Sequence, residues 1–79
     1  MDHAIYTLNI VRPEGVEGIV ARLRERLEQP GAPSVEIHHW PAALRFTSKA
    51  WRPTLVERVN AALDADIGPE ERERRFRAF

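Results

Sequence analysis

The sequence predicts one small α+β domain in which two helices cover one face of an antiparallel sheet. The two-residue alternation of half-buried strands occurs at residues 5–11, 35–40 and 43–47. Helical spacing of apolar residues occurs at residues 16–28 and 53–65. With 79 residues and no cysteine, the chain has room for one thin core and has no disulfide to reinforce it.

The apolar side chains of the first strand and the first helix each lie on one side. In the strand, Tyr6, Leu8 and Ile10 alternate with polar residues, and Pro13 and Gly15 end the pattern. The helix has acidic residues at its start, where the helix dipole favours them. Its apolar stripe consists of Val16, Ile19, Val20, Leu23 and Leu27.

The second and third strands are close enough in the chain to form a hairpin with Pro41 in its turn. In the third strand, Leu44 and Phe46 are predicted to face the helices, together with His39 near the edge of the core. The opposite set of side chains is predicted to lie on the outer, uncovered face of the sheet. This set consists of Thr7, Asn9, Glu36, His38, Trp40, Arg45 and Thr47.

The second helix begins at Pro53, because a proline at the first helical position costs no hydrogen bond. Trp51 is predicted to pack over the N-terminus of this helix as an apolar lid. The pattern ends at Gly68. We therefore divide the chain into a domain of residues 1–68 and a charged tail of residues 69–79, which could form a short third helix.

This order of elements is that of a ferredoxin-like βαββα(β) open-faced sandwich. The crossover is right-handed if the first and third strands pair in parallel. The complete fold needs a fourth strand, and residues 64–67 are too short and polar to form a good one. The fourth strand is therefore expected to be weak or absent, which would leave an edge beside the first strand open to partners.

Composition narrows the classes of function. Twelve basic and twelve acidic residues give no net charge, which argues against a protein that mainly binds nucleic acid or an anionic membrane. No apolar run reaches the roughly 18 residues of a membrane span. Residues 1–4 lack the basic and apolar segments of a signal peptide, so the expected location is the cytoplasm.

The chain resembles the heavy-metal-associated domain, a copper-chaperone-like family with a ferredoxin fold, over roughly residues 4–68. The resemblance rests on the first strand, on the apolar spacing of the first helix, and on residues 30–37 and 54–63. In that family two cysteines bind soft metal ions where Val16 and Ile19 stand here. Neither side chain has a lone pair to donate, so the resemblance implies the fold without this metal site, as in a scaffold reused for protein contacts.

A different metal site is a second hypothesis. His38 and His39 are adjacent on a strand and point to opposite faces, so they cannot bind one ion together. Glu36 shares a face with His38, and zinc accepts nitrogen and oxygen ligands. A site for Zn, Ni or Cu made by His38 and Glu36 would need a further ligand from a second subunit of a homodimer. The alternative is that the histidines are structural or surface residues and that the protein has no cofactor.

Trp40 is a candidate for an interface anchor, because tryptophan often has this role among polar neighbours. The alternative is that Trp40 folds over the turn at Pro41 and caps the edge of the core. The predicted contact surface consists of Trp40, His38, Arg45, Phe76 and Phe79. The chain has no cysteine nucleophile and no local Ser–His–Asp arrangement, so we expect it not to be an enzyme. We interpret it as a non-catalytic interaction or accessory module that binds a protein partner or a second copy. A dimer that binds a small molecule is a third hypothesis.

Overall fold

A computed structural model describes residues 3–78 of the chain. Its elements, in chain order, are β1 (Ala4–Ile10), α1 (Val16–Leu27), β2 (Val35–Trp40), β3 (Ala43–Ser48), α2 (Arg52–Asp64), α3 (Pro69–Arg75) and β4 (Phe76–Ala78). The predicted α+β class and ferredoxin-like order of elements are confirmed. Among the described residues, no helix is long and apolar enough to cross a membrane.

The sheet has the strand order β2-β3-β1-β4, and every pair of neighbours is antiparallel. The predicted antiparallel sheet is confirmed: Tyr6 lies opposite Phe46 and Leu8 opposite Leu44 in an antiparallel register, so β1 and β3 are not a parallel pair. The strands that run in the same direction are β1 and β2, which α1 connects. The hairpin then places β3 between them, which is the split arrangement of this fold.

The fourth strand is present but short, as the prediction of a weak strand allowed, and it does not lie at residues 64–67. Phe76–Ala78 is a three-residue strand that pairs with β1, with Ile10 opposite Phe76 and Leu8 opposite Ala78. The predicted short C-terminal helix is confirmed as α3, Pro69–Arg75. Three residues are too few to show a two-residue alternation, so the sequence pattern could not locate this strand.

One apolar core fills the space between the sheet and the helices. All five residues of the predicted α1 stripe are buried. The core side chains are Tyr6, Leu8, Val16, Ile19, Val20, Leu23, Leu27, Leu44, Phe46, Leu55, Val59, Ala62, Leu63 and Phe76. Because Phe76 is only 3% exposed, residues 69–78 pack onto the domain and do not form a separate tail.

Polar contacts join α1 to the segment that follows α2. Arg22 Nε donates to Asp66 Oδ2 at 2.5 Å, and Arg26 Nη2 donates to Asp66 Oδ1 at 3.1 Å. Arg26 also donates to the carbonyl of Ala62. These hydrogen bonds, with that from Arg22 the strongest, hold the pKa of Asp66 below its usual value. The carboxylate therefore links the two helices of the covering layer.

Candidate functional site

The outer face of the sheet is the side that α1 and α2 leave uncovered. The register places Thr7 and His38 opposite Arg45 and places Glu36 opposite Thr47. Side chains of the alternate set, such as Phe46, are buried in the core, so these residues point away from the helices. The outer face consists of Ile5, Thr7, Asn9, Glu36, His38, Trp40, Ala43, Arg45, Thr47 and Arg77.

Trp40 and Arg45 form a stacked pair on this face, which we call the Trp–Arg patch. The guanidinium carbon of Arg45 lies 4.3 Å from the centroid of the Trp40 ring, within the range of a cation–π contact. Trp40 remains 46% exposed. Nε of Arg45 is buried and has no hydrogen-bond partner among the described residues. The stack therefore orients both side chains while leaving much of the indole open to a partner.

Glu36 and His38 are neighbours on the same strand and face. His38 Nε2 lies 3.8 Å from Glu36 Oε2, and both side chains are at least half exposed. His39 lies opposite Leu44 and thus on the helix side, so the two adjacent histidines do point to opposite faces. Within residues 3–78 no group of three or more potential ligands could hold a metal ion. One chain therefore brings together two of the proposed ligands.

Val16 and Ile19, the two positions that the resemblance aligned with metal-binding cysteines, belong to the core. Val16 is 2% exposed and Ile19 is 4% exposed. An open cleft of about 680 Å³ lies beside Val16, between the β1–α1 loop and the β2–β3 turn, and is also lined by Glu17, His39 and Pro41. Its lining contains no thiolate, because the chain has no cysteine.

Two aromatic residues lie where the sequence interpretation did not place them. Phe76 is buried at 3% exposure, so its predicted position on the contact surface is wrong: its side chain completes the core beside Ile10. Phe79 lies outside the described residues. Trp51 is 76% exposed, so the predicted lid over α2 is also wrong. Leu55, which is fully buried in the first turn of α2, packs there instead.

Ile5 is a residue of the outer face that the sequence interpretation missed. It lies opposite Thr47 and is 49% exposed. A signal was present, because Ile5 precedes Tyr6 and so has the opposite alternation from the buried set. From strand geometry, Ile5 and Trp40 lie about 16 Å apart at opposite corners of the face. The face thus has an apolar group at two corners and polar groups between them.

Comparisons with protein-family models, with curated proteins and with solved structures give no significant match for this chain. The resemblance to the heavy-metal-associated domain therefore stays a prediction. What the structure shows is a ferredoxin-like fold with an uncovered sheet face, and the functional proposal rests on that face.

Proposed function

We propose that this chain is a small non-catalytic interaction module that binds a partner protein through the outer face of its sheet. The observation that carries the proposal is the Trp–Arg patch, an ordered pair of Trp40 and Arg45 on a face that no element of the described chain covers. Tryptophan and arginine are the residue types most enriched at the energetic centres of protein interfaces.

The composition of the face supports a protein as the ligand. Threonine and asparagine side chains surround the Trp–Arg patch and can form the polar rim of an interface. Ile5 offers a second apolar contact at the opposite corner, where it is 49% exposed.

Site-specific photo-cross-linking in cells that naturally produce the protein tests this proposal. A benzophenone amino acid is placed at Thr7 or Thr47, both on the outer face, and at Glu25 on the exposed side of α1 as the matched control. We expect one discrete adduct of the same mass from Thr7 and from Thr47, and none from Glu25. Absence of an adduct from both outer-face positions would contradict the proposal.

Metal binding between two copies is a second candidate, favoured by the 3.8 Å approach of His38 Nε2 to Glu36 Oε2. Two copies of this pair would supply the four ligands that Zn²⁺ commonly takes. Native mass spectrometry with added Zn²⁺, Ni²⁺ or Cu²⁺ is then expected to show one ion per two chains and to lose it in His38→Ala. Weak, non-saturating binding by the wild type would contradict this candidate.

A further inference from the structure

The two edges of the sheet differ in how they are protected. One edge ends in β4, a strand of three residues. The other edge is β2, whose six residues all pair with β3 on one side, while no strand of the described residues pairs on the other. Edge strands are usually protected by a bulge, a proline or several charged side chains, and of these Val35–Trp40 has only the single charged residue Glu36. β2 can therefore accept another strand.

We propose that β2 pairs with β2 of a second copy, antiparallel, about a two-fold axis at Ile37. This register sets Glu36 opposite the partner's His38 and, by symmetry, His38 opposite the partner's Glu36. A carboxylate and an imidazole in directly facing positions can share a hydrogen bond, which stabilises a strand pair. The pairing uses the backbone edge of β2, whereas the Trp–Arg patch is formed by Trp40 and Arg45, so each contact can be tested separately.

The positions of Glu36 and His38 along β2 favour this register over the two adjacent registers. A two-fold axis perpendicular to the sheet keeps both outer faces on one side, so only residues of the same alternation can face each other. An axis at Glu36 would set this carboxylate against its own copy. An axis at His38 would set the imidazole against the imidazole of the partner's His38. Of these three axes, only the one at Ile37 places each Glu36 opposite a His38 of the other copy. It also sets Ile37 opposite the partner's Ile37.

The helix side of the same edge also carries charged side chains of both signs. Arg24 and Glu28 of α1 line a groove of about 430 Å³ together with Val35 and Ile37. They are one helical turn apart, and neither has an ion-pair partner among the described residues. Both side chains therefore lie beside the edge that a second copy would occupy.

Disulfide trapping reports the register directly, because the chain has no cysteine of its own. In Ile37→Cys the two introduced thiols face each other across the axis, at a Cβ separation of about 5 Å. The matched control is Val35→Cys, on the same strand and face, where the two positions lie about 14 Å apart. The variants are oxidised with diamide in EDTA, so that no metal ion contributes to the pairing.

We expect Ile37→Cys to form a disulfide-linked dimer and Val35→Cys alone to form little. An equal mixture of Val35→Cys and His39→Cys is expected to form the mixed disulfide, because these positions face each other in the proposed register. Equal dimer yield from Ile37→Cys and Val35→Cys, or no dimer from Ile37→Cys, would overturn the proposal.

Exchange of the acidic and imidazole residues tests what the Glu36–His38 contacts contribute to association. Association is measured by sedimentation velocity in EDTA, at about 100 μM because so small an interface is expected to be weak. His38→Glu sets two carboxylates opposite each other, and we expect the association constant to fall about tenfold. Adding Glu36→His restores the pairing in reverse and is expected to restore association. Ala21→Glu, which makes the same change of charge on the exposed side of α1, controls for net charge.

Two outcomes of the sedimentation experiment would overturn the proposal. The first is a wild type that stays monomeric at this concentration. The second is an association constant that His38→Glu leaves unchanged or that the double exchange does not recover. A negative result here leaves the cross-links from Thr7 unaffected, because β1 is separated from β2 by β3.

Discussion

The two faces of the sheet are built from the same strands, yet only the helix-covered face holds the fold together. On the helix side, Leu8, Leu44 and Phe46 are at most 1% exposed. On the outer face, Ile5 and Trp40 remain about half exposed, at 49% and 46%. Alternation along a strand thus separates the residues that stabilise this domain from those that are free to bind a partner.

The sharpest test of this division uses two adjacent residues of β3. Phe46 is fully buried, and its neighbour Thr47 points to the outer face. Phe46→Ala is expected to lower the free energy of unfolding by about 3–5 kcal/mol, because it leaves a cavity in a thin core. Thr47→Ala is expected to change it by less than about 1 kcal/mol. Urea denaturation followed by circular dichroism measures both, and similar losses would contradict the division.

The C-terminal strand extends the same comparison to the end of the chain. Phe76 is buried beside Ile10, whereas Arg77 is exposed on the outer face. Phe76→Ala is expected to cost about 3 kcal/mol and Arg77→Ala less than about 0.5 kcal/mol in the same denaturation assay. If Phe76→Ala unfolds at the wild-type urea concentration, β4 and α3 do not contribute to the core as described.

A smaller effect is expected from the ion pairs within the helix layer. Arg22 and Arg26 hold the pKa of Asp66 below its unfolded value near 4, so its contribution to stability is present above about pH 4. The contribution is lost as the pH falls through the pKa of the folded state. Because the Arg22 side chain is 49% exposed, solvent screening limits the expected loss in Asp66→Asn to about 1 kcal/mol at pH 7.

The pH dependence identifies the source of that loss. The difference in unfolding free energy between wild type and Asp66→Asn is expected to shrink toward zero as the pH falls below about 4. Glu25→Gln, an exposed carboxylate with no ion pair among the described residues, is the control and should show little difference at any pH. A difference for Asp66→Asn that is the same at pH 7 and pH 3 would show a cause other than the ion pairs.

The sequence predicted the parts of the fold that repeat a pattern over several turns or residues. The stripe from Val16 to Leu27 and the alternation around Leu8 and Phe46 each contain enough apolar positions to define a buried side. The order of the elements predicted the antiparallel sheet, whereas the register of β1 against β3 depends on contacts between distant segments, which no local pattern contains. The three residues of β4 are held by one buried aromatic and by β1, and this tertiary effect gave no local signal.

The candidate site was predictable to the extent that strand alternation defines it. Alternation predicted that Glu36, His38, Trp40 and Arg45 share a face, but it could not predict the stacking of the Arg45 guanidinium on the Trp40 ring. Trp51 shows that residue type alone does not predict burial. A tryptophan before a helix was expected to be buried, but Leu55 occupies the core at the start of α2 and Trp51 is exposed.

The central claim is that Trp40 contributes to binding and little to stability. The most direct measurement is the yield of the photo-cross-link from Thr7 in wild type, in Trp40→Ala and in Trp51→Ala, with the unfolding free energy of each variant. We predict that Trp40→Ala loses most of the adduct while unfolding within about 1 kcal/mol of wild type, and that Trp51→Ala keeps the adduct. An undiminished adduct in a folded Trp40→Ala variant would contradict the claim.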